Sequence, residues 1–397
     1  MARLGDLFIH IRNGANIKQG LDDSGYPITR IETISNRIVD RNKMGYAGIK
    51  DLSKYQDFVL QDEDILMSHI NSETHLGKTA LYEKANDEII IHGMNLLLLR
   101  PNKNLITSKY AFYFFSSQAF LKQIPNITKK SVNQASFTVS ALKELSFPEV
   151  SLIEQKIAID NLDKVSMLIE HRKQQLSKLD ELVKARFVEM FGDPMINPMG
   201  WNIVNISEVV GGKVSNGFFA KRDEYCDDGN VKVLGVAHVV NRMYSNIECL
   251  PQTNGTDADI SKFGVKYGDM LFCRSSLVAE GIGKASVVPK NTPNNVLFEC
   301  HVIRLPLNLD KCVPEFMQVL STTDYFRNQV ISQSKTATMT TIGQDGILKT
   351  DIILPPMELQ KRFLQFVEQI DKSKLEIQQS LEKLETLKKS LMQQYFG

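Results

Sequence analysis

An internal duplication limits what this chain can fold into more than any other feature. Residues 155–192 match residues 360–397 at a constant offset of 205, without a gap. Gln155 and Lys156 correspond to Gln360 and Lys361, and Leu176, Leu179 and Leu182 to Leu381, Leu384 and Leu387. Lys184 corresponds to Lys389, and Phe191-Gly192 to Phe396-Gly397. The offset recurs upstream, where Asp64-Ile65-Leu66 answers to Asp269-Met270-Leu271. One residue further apart, Gly77-Lys78 pairs with Gly283-Lys284 and Phe120 with Phe326. A chain of 397 residues has room for two or three domains. The duplication orders them as variable block, long helix, variable block, long helix, with segments at 1–148, 149–192, 193–354 and 355–397.

The two like strips read as helices. Leu162, Val165, Ile169, Arg172, Leu176, Leu179, Val183, Arg186 and Met190 alternate spacings of three and four. So do Val367, Ile370, Lys374, Ile377, Leu381, Leu384, Lys388, Leu391 and Tyr395. This alternation places the side chains on one narrow seam, which is a coiled-coil pattern. Pro148 and Pro355-Pro356 mark the starts, and Gly192-Asp193-Pro194 stops the first helix. About 40 helical residues span ~60 Å at 1.5 Å per residue. Ile169 corresponds to Lys374, Val183 to Lys388, Arg172 to Ile377 and Arg186 to Leu391. Where one copy is apolar the other is charged, so one helix of each kind offers apolar partners to the charged stems. Either the helices pair with each other, antiparallel, or each packs on its own block; the complementarity favours pairing.

The variable blocks are mixed α/β. Short apolar runs rich in β-formers lie at 64–68, 88–91, 95–99, 231–236, 269–273 and 297–304. Residues 108–123 and 313–329 read as helices with aromatic faces, and Gly264, Gly268, Gly281 and Gly283 separate strands. The expected class is α+β: two similar α/β blocks separated by two long helices that form an antiparallel coiled coil, with pseudo-twofold symmetry.

A hydrophobic content of 43% gives each block a core, and apolar runs such as 95–99 are too short to cross a bilayer. The first residues lack the apolar stretch of a signal peptide. Cys226, Cys249, Cys273, Cys300 and Cys312 are odd in number and lack Cys-x-x-Cys spacing, which fits reduced thiols in the cytoplasm. The net charge of +1 conceals an uneven distribution. Residues 89–143 contain seven bases (Arg100, Lys103, Lys109, Lys122, Lys129, Lys130 and Lys143) and neither Asp nor Glu. A local basic surface is what phosphate contact requires.

At this point the pattern resembles the specificity subunit of type I restriction–modification enzymes, over essentially the whole chain. Met190-Phe191-Gly192-Asp193-Pro194 followed by Asn197-Pro198-Met199-Gly200-Trp201 is similar to that family's junction into its second recognition domain. Leu354-Pro355-Pro356-Met357-Glu358-Leu359-Gln360-Lys361 resembles the start of its spacer helix, and the two Asp-x-Leu strands resemble the strand inside each recognition domain. The first helix departs from this, beginning Phe147-Pro148-Glu149-Val150-Ser151 without the double proline. The resemblance implies a non-catalytic DNA-binding subunit. Each block would read one half of a split site on double-stranded DNA. The helices would space the blocks and carry two methylase subunits, with S-adenosylmethionine bound in those partners and none in this chain, and restriction or motor subunits joining them.

Enzymatic alternatives find little footing. Asn197-Pro198-Met199 lacks the second proline and aromatic of an adenine methylase strip, and Gly77-Lys78-Thr79 lacks the leading glycine of a P-loop, where Ser72 stands. Asp62-Glu63-Asp64 lacks the lysine of a nuclease metal site, and His69 and His75 have no metal-spaced partners. A stand-alone methyltransferase and a scaffold without DNA reading remain as alternatives. Polar loops recurring in both blocks supply the candidate DNA contacts. The first block offers Lys18, Gln19, Arg30, Ser68, His69, Asn71, Lys129, Lys130, Asn133 and Gln134; the second offers Lys221, Arg222, His238, Arg274, Ser275, Lys335, Thr336 and Thr338. Arg and Lys can pair with guanine O6 and N7, Asn and Gln with adenine N6 and N7, and Ser and Thr with phosphate. For the methylase, the helix ends offer Phe187, Met190, Phe191, Met392, Tyr395 and Phe396; of these Met392 and Phe396 lie beside the seam, where exposed apolar residues mark a partner site.

Overall fold

The computed structural model describes residues 1–20, 24–34, 37–131 and 134–397. It divides into two compact units, residues 1–173 with 379–397 and residues 174–378. Each unit is one recognition block joined to one half of each long helix. Those helices run Leu152–Phe191 and Met357–Phe396, 40 residues each.

The seam forms where the spacing requires it. Every position of the two three-and-four series is buried or half-buried. In the first unit Leu162, Val165 and Ile169 are buried, Asn161 Nδ2 donates to Tyr395 Oη at 2.8 Å, and Lys173 meets Glu385 at 3.9 Å. In the second, Val183, Val367 and Ile370 are buried, Lys374 meets Asp180 at 2.6 Å, and the rings of Phe187 and Phe363 lie 5.7 Å apart. In both units numbers rise along one helix as they fall along the other, so the pair is antiparallel. The charged seam positions keep their stems inside: the Lys374 side chain is 18% exposed, and the Arg186 guanidinium lies over the Phe366 ring at 5.7 Å.

Each block is built on a four-stranded antiparallel sheet of the same order. In the first it runs Phe8–Asn13, Leu96–Pro101, Ile65–Ser68, Thr79–Leu81; in the second, Ser215–Asn216, Val302–Pro306, Asp269–Cys273, Ala285–Val287. The Asp-x-Leu segment lies centrally in both, buried on both faces, which is why it reads as a continuous apolar run. The run at 88–91 is not a strand; only bridge pairings at Ile91 survive. The single helices expected at 108–123 and 313–329 each break. Ser117 and Thr323 accept from the backbone N–H groups of Phe120 and Phe326, so each acts as an N-cap that starts a new helix.

Duplicated residues fasten helix to block. The Gln155 side chain is buried, accepts from Thr107 N at 2.9 Å and donates to the carbonyls of Leu105 and Val150. Gln360 repeats this on Val313 N and the Pro355 and Lys311 carbonyls. Gly192 ends the first helix at φ 76°, with Pro198 so close that a Cβ would meet its Cγ at 2.6 Å. Trp201 Nε1 then donates to the Phe191 carbonyl at 2.8 Å, which satisfies one of the helix's terminal acceptors.

Candidate nucleic-acid interface

The two recurring loops of each block meet in one small sheet. In the first block Ile70–Asn71 pairs with Ala135–Ser136, which pairs with Lys129–Lys130. In the second, Ser275–Ser276 pairs with Thr340–Thr341, which pairs with Lys335–Thr336. Segments some 60 residues apart in sequence thus form one surface, twice. Lys129, Lys130 and Gln134 are exposed, with Lys130 held by Glu73 at 2.9 Å. Asn71 is half-buried, its Oδ1 accepting from Ser72 N. Lys335, Thr336 and Thr338 are exposed, and the Thr336 hydroxyl lies 3.0 Å from that of Thr340. Arg274 and Ser275 are half-buried: Arg274 Nη1 donates to the Cys300 carbonyl, and Ser275 Oγ lies 3.3 Å from His301 Nδ1. Asn133 lies outside the described residues.

Two members of the first loop are not at the surface. Ser68 is the last residue of the central strand and His69 follows it; they are 2% and 6% exposed. The His69 ring packs edge-on to Phe137, and burial pushes its imidazole down to about 4, so it is neutral at physiological pH. As placed, it carries no charge to a phosphate. Ser68 ends the strand expected at 64–68, and His69, read as a loop residue, is held under Phe137 because the chain passes directly from this strand into the small sheet at Ile70.

The remaining candidates lie apart from these sheets in sequence. Lys18 and Arg30 are exposed, with Arg30 loosely matched to Glu32 at 3.6 Å. Gln19 is half-buried, and its Oε1 is out of solvent without a hydrogen-bond partner. Lys221 and Arg222 are exposed at a short turn where Lys221 N donates to Glu224. His238 is half-buried, accepts from Gly235 N at Nδ1, and has its pKa lowered first by burial and then by Arg242. Sequence reasoning missed Leu277 and Val278, 83% and 57% exposed, in the turn directly after Ser275–Ser276. Apolar residues at a loop tip have no periodicity to betray them.

The candidate methylase contacts need correction. Phe187 and Phe191 are core residues of the second unit, stacked among Phe316 and Phe363. Phe396 is 5% exposed in the first unit, 5.0 Å from the Tyr110 ring. Each long helix therefore ends by plugging a block's core, which removes these aromatics from any exposed surface. Met190, Met392 and Tyr395 stay half-buried. Among the described residues no His, Cys, Asp and Glu cluster has metal-binding geometry, and no helix is long and apolar enough to cross a membrane.

Two blocks of one plan, each presenting a small polar sheet and seated on like helices, define a duplicated binding protein. Comparison with known proteins agrees. Residues 1–181 and 198–389 match the family described as the type I restriction modification DNA specificity domain. The putative type I restriction enzyme MjaX specificity subunit of Methanocaldococcus jannaschii is 40% identical over 209 residues, 52% of this chain and 48% of that one. The chain thus spans about half the length of that relative. The type I restriction enzyme EcoKI specificity subunit of Escherichia coli K12 is 22% identical over 412 residues, 95% of this chain and 82% of that one. The crystal structure of a type I restriction-modification S subunit from M. genitalium covers 100% of this chain and 95% of its own, with TM-score 0.56 and 12% identity, which speaks for the fold. The chain belongs to the type I restriction–modification DNA specificity family, the non-catalytic recognition component of those systems.

Proposed function

We propose that this chain reads an asymmetric, two-part DNA site and delivers two methylase subunits to it, with restriction subunits able to join. The carrying observation is the small recognition sheet, present once per block at equivalent repeat positions but lined with different side chains. One block presents Asn71, Lys129, Lys130 and Gln134, and the other presents Arg274, Ser275, Lys335, Thr336 and Thr338. Unlike readers on like frames call for unlike half-sites. The helix pair serves as spacer, so the halves lie about one helical turn (~10 bp) apart, centre to centre. Met190, Met392 and Tyr395 are the helix-end residues still available to a methylase subunit. All five cysteines are free thiols, as expected of a protein working in the cytoplasm.

Methylome sequencing of cells carrying the chain with its methylase tests this. The expected motif has two short defined parts separated by unspecified bases. A single contiguous motif would overturn the reading.

A further inference from the structure

Each unit contains a basic niche where the helix pair meets the recognition block, and the two niches occupy equivalent repeat positions. In the second unit a cleft of about 380 Å³ is lined by Lys184, Arg242, Lys284, Arg327 and Lys374, with Asp180 as its one acid. Asp180 is already matched by Lys374 at 2.6 Å. In the first unit a wider cleft, about 810 Å³, is lined by Arg37, Lys173, Lys388 and Lys389, with Glu385 as the one acidic side chain among its described residues. Glu385 is matched by Lys173 at 3.9 Å.

The correspondence follows the 205-residue offset: Arg37 with Arg242, Lys389 with Lys184, and Glu385 with Asp180. The wall hydroxyls Ser116 and Thr322 also correspond, one residue further apart. Most residues between the blocks' shared landmarks have diverged, yet this charge pattern recurs. In both niches the cations outnumber the acids after the acid is paired. Arg327 adds a direct sign of a missing partner. Its Nη2 donates to the Glu280 carbonyl at 3.0 Å, but its Nη1 is out of solvent with no hydrogen-bond acceptor. A buried guanidinium nitrogen left unpaired is costly, and an oxyanion would satisfy it.

The niche of the second unit adjoins the strand that leads into its recognition sheet, and the niche of the first is linked to its sheet through packed neighbours. Cys273 N donates to the Lys284 carbonyl, and Arg274–Ser276 follow Cys273 directly, while Glu280 lies in the turn after Ser276. In the first unit the niche residue Ala119 precedes Phe120, whose ring packs on Gly77, and Gly77 N donates to the Ser68 carbonyl. The phosphodiester is the one part of a split site that is chemically the same at both halves, which matches a recurring pocket beside diverged readers.

We propose that each niche seats a backbone phosphate of the bound duplex, one anchoring contact per half-site, centred on Arg37 in the first unit and Arg242 in the second. The proposal rests on the reading of the chain as a DNA specificity subunit. It makes these arginines contributors to affinity and not to the choice of bases.

The test uses the chain assembled with its methylase subunits, on a duplex carrying the methylated motif and on a scrambled duplex. One niche is emptied by Lys184→Gln with Arg242→Gln, the other by Lys389→Gln with Arg37→Gln. A lost phosphate contact flattens the log–log salt dependence by about 0.9, so the affinity ratio between 50 and 200 mM salt shrinks about 3.5-fold per niche. The shrinkage is expected on both duplexes, with the methylation motif unchanged, and Arg242→Lys and Arg37→Lys should restore the slope. Lys184 and Lys389 are exposed helix positions, so their single variants carry the test even if an arginine variant fails to fold. An unchanged slope, or a loss confined to the motif duplex, overturns the proposal. So does lost methylase co-purification at unchanged slope, which would place a partner carboxylate in the niche. If the unmodified assembly prefers neither duplex, the specificity reading itself fails.

Discussion

The two recognition blocks share a topology but not the means of holding it. Behind its main sheet the second block builds a four-stranded layer: Tyr225–Cys226, Gln252–Thr253, Val231–Leu234 and Val296–Phe298. Among its described residues the first block has isolated bridges there, and two of them fall at the same repeat positions. Val233 pairs parallel to Leu297 in the second block, and Ile28 pairs parallel to Ile91 in the first. Gly264 bridges Leu297, and Val59 bridges Ile91. A few pairings fix the path of the chain, and the rest of the layer is free to differ. That freedom is what a family of readers needs, because loops can change while the frame holds.

The Asp-x-Leu strand shows the same divergence at one residue. In the first block Asp64, 1% exposed, is bonded by Arg100 Nε and Nη2, both at 2.7 Å. In the second, Asp269 accepts from Lys266 N, while Arg304 donates to the Gly264 carbonyl; burial then pushes the Asp269 carboxyl up from its usual range. The largest effect should therefore be unequal. Asp64→Ala strands the Arg100 guanidinium, whose side chain is only 17% exposed, and should cost about 3 kcal/mol. Asp269→Ala removes one acceptor and should cost about 1–3 kcal/mol. Hydrogen exchange resolved by block measures both, and equal losses would show that the two acids play the same part after all.

How legible was this in the sequence? The helix pair could be read almost residue by residue, because a coiled-coil seam depends on spacing alone and both copies were available to compare. The recognition sheets could be located but not built. Ile70–Asn71 and Lys129–Lys130 are joined by strands of two residues, too short for any period to show. The fate of Phe396 was misread because apolar residues at a helix end look alike whether they face a partner or their own core. Its partner Tyr110 is almost 300 residues away, and no local rule links them.

The staples should behave oppositely to the aspartates. Gln155 and Gln360 bond the same three backbone groups in blocks that otherwise differ, Gln155 accepting in addition from the Thr107 hydroxyl at 3.2 Å, so Gln155→Leu and Gln360→Leu should cost nearly the same, about 1–3 kcal/mol each. Each variant leaves one backbone N–H, half-buried at Thr107 and buried at Val313, without its acceptor. Block-resolved exchange again gives the readout. A twofold or larger gap between the two costs would mean that the duplicated glutamine has lost its function in one copy.

The smallest effect concerns the two seam lysines, and its sign is the informative part. Lys374 is paired with Asp180, whose side chain is 67% exposed, so the pair is solvent-screened and worth about 0–1 kcal/mol. Lys374→Met should therefore cost no more than this. Lys388 occupies a corresponding seam layer in the first unit, but burial, and then the neighbouring Lys173 cation, hold its pKa below the usual lysine value. The folded state thus disfavours its charge. Below the folded pKa that penalty is fully present, and stability rises with pH between the folded value and the unfolded one near 10.5. Lys388→Met should remove the penalty and stabilise the first unit at neutral pH, with the gain over wild type closing as pH climbs toward 10.5. Denaturant titrations of both variants at neutral and alkaline pH separate the cases. If Lys388→Met destabilises at neutral pH, its cation is being used by an acid such as Asp163 or Glu385, and both seam lysines serve in charge pairs instead of Lys374 alone.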